Sequence, residues 1–325
     1  MTRVGICSTA HLHHAAYAPI LQGMDGVEFL GVADGDEERG RSAAEALGCD
    51  YREPDELLDA ADGVVVCSTN AAHREWIERA GERGTHVLSE KPLAPTVDEA
   101  RAAVEAAEDA GIRLGVAMPL RFSEPIRRAE DALAAGELGD LYAISGTNRG
   151  EMPGGWFTDP EESGGGAIMD HTAHVVDVVH DLTEREVAEV YAESGSRFHD
   201  VPVEDVNVLS MTLEDGTQFL LDGSWSRPDE WPTWGGATLE LQGRDGTMAV
   251  DCFGQTLEYV GSQGETDTET AFWGRDPNAG LIEDFVASLR EGRDPEISGE
   301  EAVRIVAVIE AAYESVERGE PVSVE

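Results

Sequence analysis

Lysine is almost absent from this chain. Of its 23 basic residues, 22 are arginine; the one lysine is Lys91, in the stretch Glu90-Lys91-Pro92. Positive charge as a whole is scarce: 66 carboxylates leave a formal net charge of −43 over 325 residues. A field of that sign repels nucleic acid and anionic membranes and argues against both as partners. Long apolar runs are missing as well. No stretch approaches the ~18 residues needed to span a bilayer, and an apolar strand, Val4-Gly5-Ile6-Cys7, begins where a leader peptide would stand. A cytoplasmic protein is expected. Cysteine is limited to Cys7, Cys49, Cys67 and Cys252, with no CxxC spacing, so these read as reduced, mostly buried thiols.

The carboxylates are spread along the whole chain, among apolar residues that make up 41% of it. A disordered acidic tail would concentrate charge and lack apolar periodicity. A folded protein with this surface suffers self-repulsion in dilute buffer. At ~1 M salt the Debye length falls to about 3 Å and the repulsion is largely screened. The composition resembles that of haloarchaeal proteins. In such a background a surviving lysine is a candidate for chemistry that needs a compact ammonium.

The first third alternates strands and helices. Strands are expected at Val4–Cys7, Val27–Ala33, Gly63–Cys67, Thr85–Ser89 and Ile112–Ala117, and helices at Ala15–Gln22, Glu37–Leu47, His73–Arg83 and Val97–Ala110. Thr96 and Glu99 form a capping box for the last of these. This rhythm predicts a doubly wound parallel sheet with a ligand crevice at its carboxyl edge. The pattern then changes. Helices at Glu124–Ala135 and Ala167–Leu182 flank a strand at Leu141–Arg149. Strand-like runs follow near 187–194, 206–213, 217–226, 237–242, 247–252 and 256–260, then helices near 280–290 and 299–317. The fold class is therefore α/β: a parallel-sheet unit over 1–121, and an α+β unit with a mostly antiparallel sheet over 122–325.

A dinucleotide would lie on the first βα turn, Ser8-Thr9-Ala10-His11-Leu12-His13. The usual G-x-G-x-x-G is absent. Ser8 and Ala10 are small enough for a tight turn, and amides at a helix start attract phosphate. Asp34, ending the second strand, is placed to accept hydrogen bonds from ribose hydroxyls. No arginine follows in Gly35-Asp36, so NAD is expected over NADP. Ser68, Thr69, Asn70 and His73 end the central strand and are candidate ribose or pyrophosphate contacts, a turn and helix cap being an adequate alternative. No metal is expected: His11, His13, His14 and Cys7 have no adjoining carboxylate or second cysteine to complete a set. On the helix after Gly164-Gly165-Gly166, Asp170 and His174 are i and i+4 and share a face, with His171 about 100° round. A site and a satisfied core pair both fit.

The order of "SEKPLAPTVDEA", Arg121-Phe122, "LGDLYAI", "GGGAIMDHTAHVVDVV" and "EDFVASLREGRDPEISGEEAVRIVAVIEAAYES" resembles the Gfo/Idh/MocA oxidoreductases over nearly the whole chain. The resemblance implies a Rossmann domain, NAD(P), and homodimers or homotetramers. Lys91 and Glu90 would lie by the nicotinamide and the reacting carbon. His174 would be the acid/base, and Asp170 would hold substrate hydroxyls. Arg121, Asn148 and Trp156 are looser candidates for the substrate wall. The implied function is hydride transfer between nicotinamide and a sugar, polyol or cyclitol. A non-catalytic cofactor-binding regulator and an NAD-recycling glycosidase are alternatives within the same fold.

The charge balance sets a first test. The thermal midpoint followed by circular dichroism is expected to rise steeply from low to molar KCl, with activity appearing only in salt. Full stability in dilute buffer would contradict it.

Overall fold

The β-branched and apolar runs of the first third become strands because both of their faces are covered. The computed structural model describes residues 1–228, 230–231, 234–254 and 275–324. Strands β1 (Thr2–Cys7), β2 (Val27–Ala33), β3 (Gly63–Val66), β4 (His86–Ser89) and β5 (Leu114–Val116) form a parallel sheet in the order β2-β1-β3-β4-β5. All four residues of β3 are buried, as expected of a strand sandwiched between helices. The crossovers are α1 (His14–Gly23), α2 (Glu37–Leu47), α3 (Pro54–Ala60), α4 (His73–Gly81) and α5 (Val97–Asp109). α3 has only seven residues and starts on Pro54, too short to show the helical periodicity that announces the others. Because β1 lies between β2 and β3, the winding reverses beside β1. A crevice opens at the carboxyl ends of these strands.

The second unit contains α6 (Glu124–Ala134), β6 (Leu141–Gly150), α7 (Pro160–Ser163), α8 (Ala167–Thr183), β7 (Val187–Gly195), β8 (Val206–Leu213), β9 (Gln218–Asp222), β10 (Gly235–Gly243), β11 (Thr247–Asp251), α9 (Pro277–Glu291), α10 (Gly299–Arg318) and β12 (Val322–Ser323). Its seven strands run β11-β10-β6-β9-β8-β7-β12, with every neighbouring pair antiparallel except β6–β9. The expected run at 256–260 lies outside the described residues. The last helices return to the first unit. Gly63 admits Phe285 and Leu289 of α9, and Gly299 of α10 sits against Val104 and Leu114. Among the described residues, no helix is long and apolar enough to cross a membrane.

α8 carries Asp170, His171 and His174, and its start is fixed by Glu204 and Tyr313. The Glu204 carboxylate accepts from the amides of Gly166 and Ile168, Tyr313 Oη donates to Glu204 at 2.8 Å, and the Met169 amide donates to Tyr313 Oη at 3.2 Å. These absorb the unsatisfied amides of the first turn. Gly166 is needed here because an added Cβ would overlap the Glu204 carbonyl oxygen. Gly166→Ala is expected to destabilise the fold by about 1–3 kcal/mol, read as a lower denaturant midpoint in molar salt. An unchanged midpoint would mean that the Glu204 segment gives way freely.

Candidate active site

The first turn, the Glu90-Lys91-Pro92 segment after β4 and the start of α8 meet at the carboxyl edge of the parallel sheet. They border one cavity of about 850 Å³, closed from the second unit by Asn148, Trp234 and Phe253. Lys91, Asp170, His171 and His174 all line it. Lys91 is 3% exposed. Its Nζ donates to Asp170 Oδ1 at 2.6 Å and to the Asp170 carbonyl oxygen at 3.0 Å. An ammonium has three N–H bonds, so one is left for a ligand oxygen.

Asp170 Oδ2 accepts from Trp225 Nε1 at 3.0 Å and lies 3.3 Å from His171 Nε2. Burial opposes ionisation of Asp170. Lys91 and His171, with the hydrogen bonds from Lys91 and Trp225, nevertheless hold it well below the usual carboxylate range. His171 Nδ1 donates to the Gly223 carbonyl at 2.9 Å, and its backbone oxygen accepts from Asn148 Nδ2 at 2.9 Å. His174 is held well below the ordinary histidine value by burial first and by the Lys91 charge second. It is therefore a neutral imidazole, able to accept a proton, throughout the neutral range.

Glu90 faces the other way. It is fully buried, and its Oε1 accepts from Tyr17 Oη at 2.6 Å and from His13 Nδ1 at 2.8 Å. Its Oε2 accepts the Lys91 amide at 3.2 Å and lies 3.8 Å from His11 Nε2. Burial opposes its charge, but His11, His13 and Tyr17 hold it well below the carboxylate range. This supplies the carboxylate that the sequence reading found missing from the histidine cluster, since His11, His13 and Glu90 could together surround an ion. The hydrogen bonding does not suit one. The His13 amide donates to His11 Nδ1 at 3.2 Å, which keeps the His11 proton on Nε2 and leaves that nitrogen no lone pair to offer.

The first turn departs from expectation. Ser8 adopts φ 64°, the left-handed conformation a glycine would fill. Most amides of the turn are spent within the chain: Thr9 on Asp34 Oδ2 at 2.7 Å, Ala10 on Ser8 Oγ at 3.3 Å, His11 on the Cys67 carbonyl at 2.9 Å and His13 on His11. The expected amide cradle is thus reduced to Leu12, whose side chain is exposed at the cavity. Asp34 also accepts from Thr9 Oγ1 and, bidentately, from Arg39 at 2.6 and 3.0 Å. Burial opposes its charge, and Arg39, the Asp36 amide and Thr9 together hold it ionised. Looking only at Gly35-Asp36 misses Arg39, which reaches back from the first turn of α2.

Several candidates stand elsewhere. Arg121 is a correction. The residue is 4% exposed, and its guanidinium grips Asp177 at 2.6 and 2.9 Å, with Asp181 and Glu301 each at 3.1 Å. It joins α8 to α10 behind the cavity instead of walling a substrate. His73 is fully buried and donates from Nδ1 to the Pro92 carbonyl at 3.0 Å, so it supports the Lys91 segment from beneath. Ser68 Oγ donates to the Thr69 carbonyl, and Asn70 Nδ2 to the Ser163 carbonyl. None of Ser68, Thr69, Asn70 and His73 borders this cavity. Trp156 donates from Nε1 to the Ala10 carbonyl at 3.0 Å and stacks on Phe157 at 3.9 Å, which ties the second unit to the first turn. Asn148 does reach the cavity. Sequence reasoning missed Trp225, which no motif marks, and the support given by Tyr17, one helical turn after His13.

A parallel sheet with Lys91, Asp170 and His174 gathered at its carboxyl edge, joined to an antiparallel α+β unit, is the architecture of a two-domain dinucleotide-dependent oxidoreductase. Residues 2–118 match the family described as "Oxidoreductase family, NAD-binding Rossmann fold", and residues 126–249 match the "GFO/IDH/MocA C-terminal domain". The chain belongs to the GFO/IDH/MocA oxidoreductases. It is 28% identical to D-xylose 1-dehydrogenase (NADP(+)) 2 of Haloferax volcanii, over 99% of both chains. It is 24% identical to myo-inositol 2-dehydrogenase of Thermotoga maritima, over 99% of this chain and 98% of that one. In fold it resembles GenD2 from gentamicin A biosynthesis, solved with NAD, at a TM-score of 0.89 and 24% identity over 100% of this chain and 96% of that one.

Lys91→Arg is expected to lower kcat by more than about 10²-fold, as loss of an oxyanion donor does, because a planar fork cannot reproduce a compact ammonium. Single-turnover kinetics at saturating cofactor would measure it. Near-normal turnover would remove Lys91 from the chemistry.

Proposed function

We propose that this protein is an NAD-dependent dehydrogenase that oxidises a secondary or anomeric hydroxyl of a sugar, polyol or cyclitol, or reduces the matching carbonyl. One observation carries the reading: a buried ammonium with an N–H to spare and a neutral imidazole share one cavity at the carboxyl edge of a parallel sheet. Nicotinamide, when bound, supplies the hydride acceptor. His174 takes the hydroxyl proton. Lys91 stabilises the developing alkoxide through its remaining N–H. Asp170 holds Lys91 in place and presents its carboxylate to a neighbouring hydroxyl.

Residues of the first turn, Asp34 and Glu90-Lys91 would hold the cofactor. NAD is preferred over NADP in this reading because Asp34 stays ionised and already occupies Arg39, the cation nearest to hand for a 2′-phosphate. The permanent cations in the cavity lining, Lys91 and Arg275, are paired with Asp170 and Glu283, which favours uncharged polyhydroxylated substrates such as those named for the relatives. Exposed Tyr142, Val208 and Leu220 on the second sheet favour a homodimer or homotetramer, and four unpaired cysteines favour the cytoplasm. A non-catalytic cofactor sensor is the second reading, favoured by the spent amides of the first turn.

The test is NADH absorbance at molar salt across D-xylose, D-glucose, myo-inositol and other polyols, run in parallel with NAD and NADP. Turnover is expected with at least one sugar or cyclitol, faster with NAD. Dinucleotide binding without turnover on any of them would favour the sensor, and a faster rate with NADP would overturn the cofactor assignment.

A further inference from the structure

This inference rests on the dinucleotide reading above and asks what grips the pyrophosphate. In a doubly wound sheet the backbone amides of the first turn usually do so. Here the amides of Ser8, Thr9, Ala10, His11, His13 and His14 all have partners inside the chain, and the Leu12 amide is the one in residues 8–14 with no partner among the described residues. The turn offers imidazoles in their place. His13 occupies the position of the third glycine, lines the cavity, and has a side chain 27% exposed. Its Nδ1 is held by Glu90 Oε1 at 2.8 Å. Its Nε2 has no partner among the described residues. Beside it, with ring centroids 4.4 Å apart, His11 carries its proton on Nε2, a buried donor that also lacks a partner.

A carboxylate on one ring nitrogen fixes the ring and supports charge on the other, as in the carboxylate–histidine pairs of metal and protease sites. Glu90 stands to His13 in that relation. We propose that His13 is a pyrophosphate ligand of the cofactor: its protonated imidazole, oriented and charge-balanced by Glu90, replaces the amide cradle that this turn has lost, with His11 Nε2–H as a second, neutral donor.

To hold pyrophosphate in this way, His13 has to carry its proton. The groups that face His13 are Glu90 and Lys91 from the end of β4, Tyr17 from α1 and His11 from the turn, with Asp170, His171 and His174 of α8 and Arg275 and Asp276 bordering the same cavity. Affinity must fall as pH rises through the range where histidine loses its charge.

The experiment is a fluorescence titration of NADH onto the full chain, in fixed molar KCl, from about pH 6 to pH 8. The wild-type Kd is expected to rise roughly tenfold across that range, the effect of losing one charge-assisted hydrogen bond. His13→Gln and His13→Gly should both bind about tenfold more weakly at the acid end and show a flat profile, with thermal midpoints reporting that each is folded. A flat wild-type profile overturns the proposal. So does His13→Gly binding as tightly as wild type, or variants that keep the full pH dependence. Failure of the wild type to bind NADH or NADPH at any pH would instead bring down the dehydrogenase reading itself.

Discussion

The ion pair between Lys91 and Asp170 is the constraint on which the site depends. It joins residues 79 apart in sequence, at 2.6 Å, one at a strand end in the parallel-sheet unit and the other on the first turn of α8. As a source of stability such a pair is weak, because desolvating two charges costs about as much as their attraction returns. Its value is geometric. The pair holds the strand-end segment against the helix, fixes the ammonium beside His174, and keeps Asp170 ionised although it is buried.

Glu90, Lys91 and Pro92 anchor their segment in three directions. Glu90 turns toward α1 and the first turn, where Tyr17 and His13 donate to it. Lys91 turns toward α8. The Pro92 carbonyl is held from below by His73. Neighbouring side chains of opposite charge thus serve opposite walls of one crevice, so the two halves of the site cannot shift independently. A second device works at the crevice mouth: Trp156 reaches from the second unit to the Ala10 carbonyl and clamps the first turn. The buried carboxylates Asp34, Glu90 and Asp170 each collect several donors, as ionised groups away from water must.

Much of the fold was legible in the sequence. Strands buried on both faces read as short continuous apolar runs, and the helices between them carry the period and the caps that mark their ends. α3 escaped because seven residues behind Pro54 give no period to read. Asp170 and His174 were legible as one helical face, since i and i+4 spacing is a local property. Arg121 misled because its three carboxylate partners lie 56, 60 and 180 residues away; in so acidic a chain an arginine has many possible partners, and spacing alone does not choose among them.

Composition and local periodicity therefore determined the parallel sheet, the second α+β unit, the strongly acidic charge balance and the singular status of Lys91, because these depend on residue type and near neighbours. Tertiary structure alone decided that Lys91 faces Asp170, that Glu90 supplies the carboxylate beside the histidines, that Arg39 returns to Asp34, and that the amides of the first turn are already spent. Each of these is a directed contact between distant segments. Its existence depends on how the strands are ordered and where the helices begin, which no window of sequence contains.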